Sequence, residues 1–528
     1  MKNKITGAYY TPNRLSKVII NHLLKSSFIS YKSILEPSVG DGSIIHSLID
    51  QGKDKLENSS ITIVDINNAE LEKAKTLLQN SSFKDSYISY CDDFLNFHEK
   101  CTNNYSLIIG NPPYINRKLL DKETIRKCGE IHASINLTGH TIHNIWTSFV
   151  ISSLKLLDES GVLCFVLPID LLQVKYAEEV RDYLIDQFER IEIITTDTSV
   201  FSEIEQETVV FLGYKKAEEK GTFYYKIIDY ENMKVKKISS NGLMISQSKW
   251  THYNLSTSEI ELLNRLSENL PIVSDFIISK PGIVTGANDF FIYDYDTMVE
   301  NDLEKYSQPI LLRSIHTEIK LDYTKSEYKK LCSNGKPAYI LNLNGIKELS
   351  SGAKAYILNG ELMDIDKGYK CSNRQPWYSI PGMEKTPEAF MFRRFYKVPK
   401  LYMNKACVHL TDTAYKLETK GDYNMKSFIF SFYNFITLIF AELMGRKYGG
   451  GVLELTPSEF QNLPIPYITI SEMLFKQYEI SFTKRNILTN LKDSFDLSNH
   501  FLNTISSNEI EQLTLIYTKL QNTRLAKN

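Results

Sequence analysis

The run Leu107-Ile108-Ile109-Gly110-Asn111-Pro112-Pro113-Tyr114-Ile115 carries the densest chemistry in the chain. Two consecutive prolines fix the backbone and remove two N–H donors, leaving the carbonyls around them free to accept. Asn111 adds an amide oxygen, and Tyr114 adds a flat face. This inventory suits one problem. An exocyclic aromatic amine is a poor nucleophile because its lone pair is delocalised into the ring. The Asn111 side-chain oxygen and the Pro112 carbonyl can accept its two N–H bonds, favouring a pyramidal nitrogen whose lone pair points at an electrophilic methyl group. Tyr114 offers a surface on which a base taken out of its stack can rest. Positioning then supplies most of the rate, and neither a metal nor a strong general base is required. The plain alternative is a rigid turn that happens to carry Asn and Tyr.

Three further segments suggest what delivers the methyl group. Ile34-Leu35-Glu36-Pro37-Ser38-Val39-Gly40-Asp41-Gly42-Ser43 reads as a strand, a glycine turn and a helix start, which brings backbone N–H groups close to a ligand. Ile61-Thr62-Ile63-Val64-Asp65 ends a second strand in an acid, where a carboxylate can accept from ribose hydroxyls. Tyr90-Cys91-Asp92-Asp93-Phe94 ends a third, with an acid for an adenine amino group and a ring to pack on it. Each alone is weak, since an acid after a strand is often only a helix cap. The glycine spacing is not that of a dinucleotide site. The set fits a nucleoside with a short charged tail, which describes S-adenosylmethionine.

These residues need a sheet to hold them at one edge. Strands are expected at Ser33–Leu35, Ile61–Val64, Tyr87–Tyr90, Ser106–Ile109, Gly161–Leu167, Arg190–Thr195 and Thr208–Tyr214, with helices such as Ala69–Gln79, Trp146–Leu157 and Ala177–Gln187 between them. That alternation predicts an α/β fold with a doubly wound, mainly parallel, Rossmann-like sheet. The rhythm fades after Tyr225, and a Ser/Asn-rich stretch from Ile238 to Thr257 reads as a linker. Two domains, 1–245 and 246–528, are the simplest parse. The second mixes helical and Gly/Pro-punctuated segments, as a mixed α+β domain does, with an amphipathic tail from Ser471.

Composition sets outer bounds. Net charge is −2 and aromatics reach 12%, so any polyanion must be held by local charge rather than by the whole molecule. The seven cysteines show no zinc spacing and read as reduced thiols. The N-terminus lacks a signal-like apolar run, and Phe428–Leu443 is too short and too polar to cross a membrane, so it is expected to be a buried helix. A cytoplasmic protein with no membrane partner is the expectation.

With these residues in hand, the sequence resembles the amino-methyltransferases, specifically the gamma-arranged, TaqI-type N6-adenine DNA methyltransferases. Asn111-Pro112-Pro113-Tyr114 is similar to their hallmark, and Gly7-Ala8-Tyr9-Tyr10-Thr11-Pro12 to their N-terminal motif. The resemblance implies that Thr11 contacts the methionine carboxylate, that Glu36, Pro37, Gly40 and Gly42 form the glycine turn, and that Asp65, Asp93 and Phe94 hold the nucleoside. It implies that Phe149, in Asn144-Ile145-Trp146-Thr147-Ser148-Phe149, packs by the cofactor. It also implies that Phe201 sandwiches the flipped adenine against Tyr114.

Lys280–Phe291, Tyr448–Leu455 and Asn462–Pro466 resemble segments of the family's target-recognition region, which makes double-stranded DNA the implied partner. Between Lys370 and Lys405, eight Lys/Arg interleave with aromatics, a pattern suited to phosphates and distorted DNA and equally to a solvated face over a small core. Lys280, Asn288, Arg313, Arg374, Trp377, Arg393 and Arg394 are the residues expected to meet DNA. The first motif begins at Gly7 and no nuclease cluster follows, so any cognate restriction endonuclease is expected on a separate chain. A monomer is expected from the resemblance. The alternatives are a methyltransferase acting on protein glutamine or RNA, and a catalytically silent DNA-binding relative.

Overall fold

The computed structural model describes residues 10–25, 31–52, 55–56, 58–195, 208–241, 249–251, 255–484, 488–491 and 505–525. The chain divides into two compact units, Met1–Ile260 and Glu261–Asn528.

The first unit is built on a nine-stranded sheet: β1 (Ser33–Glu36), β2 (Ser60–Asp65), β3 (Tyr87–Cys91), β4 (Tyr105–Gly110), β5 (Leu157–Pro168), β6 (Arg190–Thr195), β7 (Thr208–Tyr214), β8 (Gly221–Asp229) and β9 (Lys234–Asn241). Their spatial order is β3-β2-β1-β4-β5-β7-β6-β8-β9. Neighbours from β3 to β5 are parallel, β7 runs antiparallel to both β5 and β6, β8 is parallel to β6, and β9 closes the edge antiparallel. The last two strands lie beyond the alternation predicted from the sequence, and β9 runs into the stretch read as a linker.

Alternation along the central strands feeds two cores. Leu107, Ile109, Val162, Cys164 and Val166 face one side, where they meet α1 (Asn13–Lys25), α2 (Ser43–Gln51) and α3 (Asn68–Gln79). Ile108, Leu163, Phe165 and Leu167 face the other, under α4 (Phe94–Lys100), α5 (Lys122–Ala133), α6 (Trp146–Lys155) and α7 (Glu178–Gln187). A strand stretch buried on both faces must be apolar, which is why Leu107–Ile109 of β4 and Val162–Leu167 of β5 read as continuous hydrophobic runs. With helices on both faces, the order turns back between β1 and β4. That is where an open sheet leaves a crevice at the carboxyl ends of its strands.

Among the described residues the second unit carries three small sheets. One of the two four-stranded sheets pairs Ile277–Pro281, Ala414–Thr419, Ala389–Phe392 and Leu401–Met403 in antiparallel order. The apolar run read as one helix forms two, Met425–Phe432 and Phe435–Met444, bent by 73°. The break has a local cause: the buried Asn434 accepts from the Thr437 N–H and so caps the second helix. The helix Ser507–Leu525 docks on that second helix through a fully buried pair, with Arg524 Nε and Nη2 donating to Glu442 at 2.8 and 2.6 Å. No single helix among the described residues is long and apolar enough to cross a membrane.

Candidate active site

The carboxyl ends of β3, β2, β1 and β4 open on a cavity of about 460 Å³. Its wall includes Thr11, Glu36, Pro37, Gly40, Asp65, Asp93, Phe94, Asn111 and Phe149, nine residues singled out in the sequence. Gly42, Pro112 and Tyr114 are not part of the lining. Phe201 lies outside the described residues.

The turn after β1 is shaped by two glycines in the left-handed region, Gly40 (φ 52°) and Gly42 (φ 80°). A Cβ at Gly40 would stand 3.1 Å from the Tyr10 ring, and one at Gly42 would press on Leu77 and Ala74. Only glycine meets both the dihedral and the space. Asp65 holds this turn from the neighbouring strand: its Oδ2 accepts from the Gly40 N–H at 2.9 Å and its Oδ1 from the Asn67 N–H at 2.8 Å. Asp93 lines the cavity and also caps α4, accepting from the Leu95 N–H at 2.9 Å. Phe94 and Phe149 close the floor, both buried, with ring centroids 5.0 Å apart.

Glu36 ends β1 at 1% exposure, and its Oε2 has no hydrogen-bond partner among the described residues. Burial first, then the charges of Asp41 and Asp65, push its carboxyl well above the usual carboxylate range.

Asn111 follows β4 directly. Ser38 Oγ donates to the Asn111 carbonyl at 3.1 Å, joining the two loops, and Gly110 leaves room for Pro37, whose Cδ would lie 3.2 Å from an added Cβ. Tyr114 departs from expectation. Its ring is only 8% exposed, and its hydroxyl lies 2.8 Å from Asn111 Oδ1 and 2.9 Å from the Val166 carbonyl oxygen. In this structure it braces Asn111 rather than presenting an open face.

Sequence reasoning passed over other parts of the wall. Tyr10 stands in a quoted motif and could have been named. Asp121 and Thr124 come from the start of α5, where Asp121 accepts from the Glu123 and Thr124 N–H groups, and nothing in their spacing marks them.

In the second unit several cations and aromatics of the Lys370–Lys405 stretch are engaged within the protein. Arg374 donates to the carbonyls of Thr285 and Val284 at 2.6 and 2.7 Å. Arg393 and Arg394 share the buried Glu454 at 2.6 and 3.0 Å. Burial disfavours the Glu454 charge, but the Tyr448 hydroxyl and the two guanidiniums outweigh it and hold this carboxyl below its ordinary range. Trp377 donates to Glu361 at 3.1 Å and packs on Phe290, while Phe390, Phe392 and Tyr402 are core. Lys280, Asn288 and Arg313 are exposed, and Asn288 Oδ1 accepts from the Thr285 hydroxyl at 2.6 Å.

Comparison with known proteins follows the same division. The description Eco57I restriction-modification methylase matches residues 18–201, and Type II methyltransferase M.Eco57I, C-terminal domain, matches residues 247–496. The Type II methyltransferase M.AccI of Acinetobacter calcoaceticus is 23% identical over 72% of this chain and 69% of its own length. M.HincII of Haemophilus influenzae is 30% identical over 39% of this chain, and the match spans only 36% of that protein. Among solved structures, the Type IIL restriction-modification enzyme MmeI in complex with DNA gives a TM-score of 0.57 at 11% identity, over 98% of this chain and 73% of that one, a likeness of fold. The chain is therefore a homologue of Type II methyltransferases, matched in turn by the two models of the Eco57I-type restriction-modification methyltransferase family.

Proposed function

We propose that this protein methylates N6 of adenine in double-stranded DNA, using S-adenosylmethionine, as the modification enzyme of a restriction-modification system. Residues 1–245 would form the catalytic domain and 246–528 the target-recognition domain. The observation that carries the reading is the order of side chains along the sheet edge. Asp93, Asp65, Glu36 and Asn111 follow four adjacent strands in the order β3, β2, β1, β4. At roughly 4.8 Å per strand they span about 14 Å. Such a row suits an adenosine bearing an amino-acid chain, with a second substrate at Asn111.

The residues fit that cofactor. Asp93 and Phe94 suit an adenine ring, Asp65 a ribose, the Gly40–Gly42 turn a close backbone approach, and Thr11 and Glu36 the two ends of an amino acid. When bound, S-adenosylmethionine supplies an electrophilic sulfonium methyl group. The protein's part lies on the acceptor side. The Asn111 oxygen and the Pro112 carbonyl accept the amino hydrogens, which localises the nitrogen lone pair. Phe94, Phe149 and Ile145 exclude water from one wall. Tyr114 stacks on the extruded base after its ring is uncovered, and Phe201 is the residue proposed to meet the opposite face. In the second domain Lys280, Asn288 and Arg313 are proposed to reach DNA, with Arg374, Trp377, Arg393 and Arg394 shaping the surface.

Modification mapping of genomic DNA tests this, comparing cells that express the wild type with cells that express Asn111→Ala. The expected result is N6-methyladenine at one short motif with the wild type alone. A mark on cytosine, or none on DNA, would overturn the substrate assignment.

A further inference from the structure

Six acids line the cavity, Glu36, Asp41, Asp65, Glu70, Asp93 and Asp121, and no Lys, Arg or His stands among the lining residues. Such a wall suits a cofactor carrying positive charge and repels a phosphate. A nucleic-acid strand that brings a base to Asn111 carries a charge on every nucleotide, so its backbone needs cations at the mouth. At physiological salt exposed charges act over about 8 Å, so those cations must stand beside the loop itself. The chain places two there. Arg117 and Lys118, both exposed, open the short helical turn Arg117–Leu119 that follows Tyr114. The next residues, Leu119 and Leu120, line the same cavity as Asn111, Pro113 and Ile115, so the turn lies on its rim.

The turn is firmly held. The Arg117 N–H donates to the His143 carbonyl and the Ile145 N–H to the Ile115 carbonyl, both at 3.0 Å, which ties the segment to the loop before α6. Asn116 Oδ1 accepts from the Lys118 N–H at 3.0 Å. The two side chains are not spent on acids. Arg117 gives one guanidinium N–H to the Gly139 carbonyl at 3.2 Å and keeps its other donors. Neither cation has a carboxylate within ion-pair distance among the described residues, and the acids closest in sequence are engaged elsewhere. Asp121 accepts from the Glu123 and Thr124 N–H groups, and Glu123 pairs with Lys127 at 3.6 Å.

We propose that Arg117 and Lys118 hold the phosphates on either side of the extruded base and so seat the target strand at Asn111. This rests on the DNA reading above, in which every cation assigned to DNA belongs to the second unit. A planar guanidinium can take two phosphate oxygens at once, and an ammonium can hold the neighbouring phosphate as a point charge. Extrusion is a rotation about the backbone, so phosphates fixed at the rim set where the base arrives. Such contacts fix register and orientation and read no sequence, which leaves the choice of target to the second unit.

Methyl transfer from labelled S-adenosylmethionine to unmodified genomic DNA, measured with the full chain as kcat/KM for the DNA over a salt series, tests this. For the wild type, log kcat/KM is expected to fall linearly with log salt. Arg117→Ala and Lys118→Ala should each make that slope shallower by roughly 0.9, the worth of one phosphate contact. Arg117→Lys and Lys118→Arg keep the charge and should keep the slope. Cofactor affinity by calorimetry and the set of methylated sites by long-read mapping should be unchanged in all four variants. Three outcomes overturn the proposal: an unchanged slope in either alanine variant, a shallower slope in a charge-keeping variant, or an alanine variant that binds the cofactor more weakly or chooses other sites. A wild type that binds S-adenosylmethionine yet labels no DNA would instead remove the DNA reading, and the proposal with it.

Discussion

The Tyr114 hydroxyl stands within hydrogen-bond distance of both Asn111 Oδ1, at 2.8 Å, and the Val166 carbonyl oxygen, at 2.9 Å, so one proton is offered to two acceptors. If it goes to Asn111, one lone pair of the amide oxygen is taken and the second stays free to accept. If it goes to Val166, which can only accept, the phenol oxygen is left to receive a hydrogen bond from the Asn111 amide nitrogen, and the amide oxygen turns away from Tyr114. The hydroxyl thus sets the orientation of the Asn111 amide.

Tyr114→Phe keeps the ring and removes this control. It is expected to slow single-turnover methyl transfer roughly 2- to 10-fold, the worth of one hydrogen bond. Cofactor affinity measured by calorimetry should not change. An unaltered rate would mean that the loop alone orients Asn111.

Asp65 is bound to two backbone amides, of Gly40 and Asn67, so its removal should act on both the ligand and the turn. Asp65→Ala is expected to lower stability by about 1–3 kcal/mol, as two amides lose their partner. Cofactor affinity should drop about tenfold or more. Thermal unfolding and calorimetry on the same sample separate the two losses.

The raised carboxyl of Glu36 also shapes stability. Burial and the neighbouring Asp41 and Asp65 favour the protonated form of Glu36 in the folded, ligand-free protein over the unfolded chain, where the carboxyl has its ordinary pKa. The stability this contributes is complete below the usual carboxylate pKa and is lost as pH rises through the folded value. Glu36→Gln is neutral throughout and should abolish that loss. Denaturation of the ligand-free proteins is expected to show the variant gaining on the wild type as pH rises above the usual carboxylate range.

Glu454 ties Arg393 and Arg394 to the strand Val452–Glu454. Glu454→Ala leaves the half-buried Arg393 without its carboxylate and is expected to cost about 2 kcal/mol, less than for a fully buried pair because Arg394 is largely exposed. Chemical denaturation checks this. A cost near zero would return both arginines to the set available for DNA.

What the sequence discloses follows the range of the forces involved. The strands Arg190–Thr195 and Thr208–Tyr214 coincide with expectation residue for residue, because strands buried on both faces carry their signal locally. Asn111, Asp65 and Gly40 could be identified because loops at a sheet edge carry unusual residues at fixed spacing. β9 escaped notice because edge strands alternate with polar residues and lysines. The internal partners of the arginines in the second unit were not legible for another reason. Arg374 bonds to carbonyls 89 and 90 residues away, and Arg393 to a carboxylate 61 residues away, and no local pattern announces partners at such distances. The same holds for Tyr114, whose second acceptor is 52 residues on.

The central claim, amino-group methylation governed by Asn111, is tested most directly by incubating purified protein with double-stranded DNA and S-adenosylmethionine labelled in its methyl group, then digesting the DNA to nucleosides for mass spectrometry. The expected result is labelled N6-methyldeoxyadenosine from the wild type, falling by roughly a hundredfold or more in Asn111→Ala while cofactor binding persists. Label on any other nucleoside, or an undiminished yield from Asn111→Ala, would contradict it.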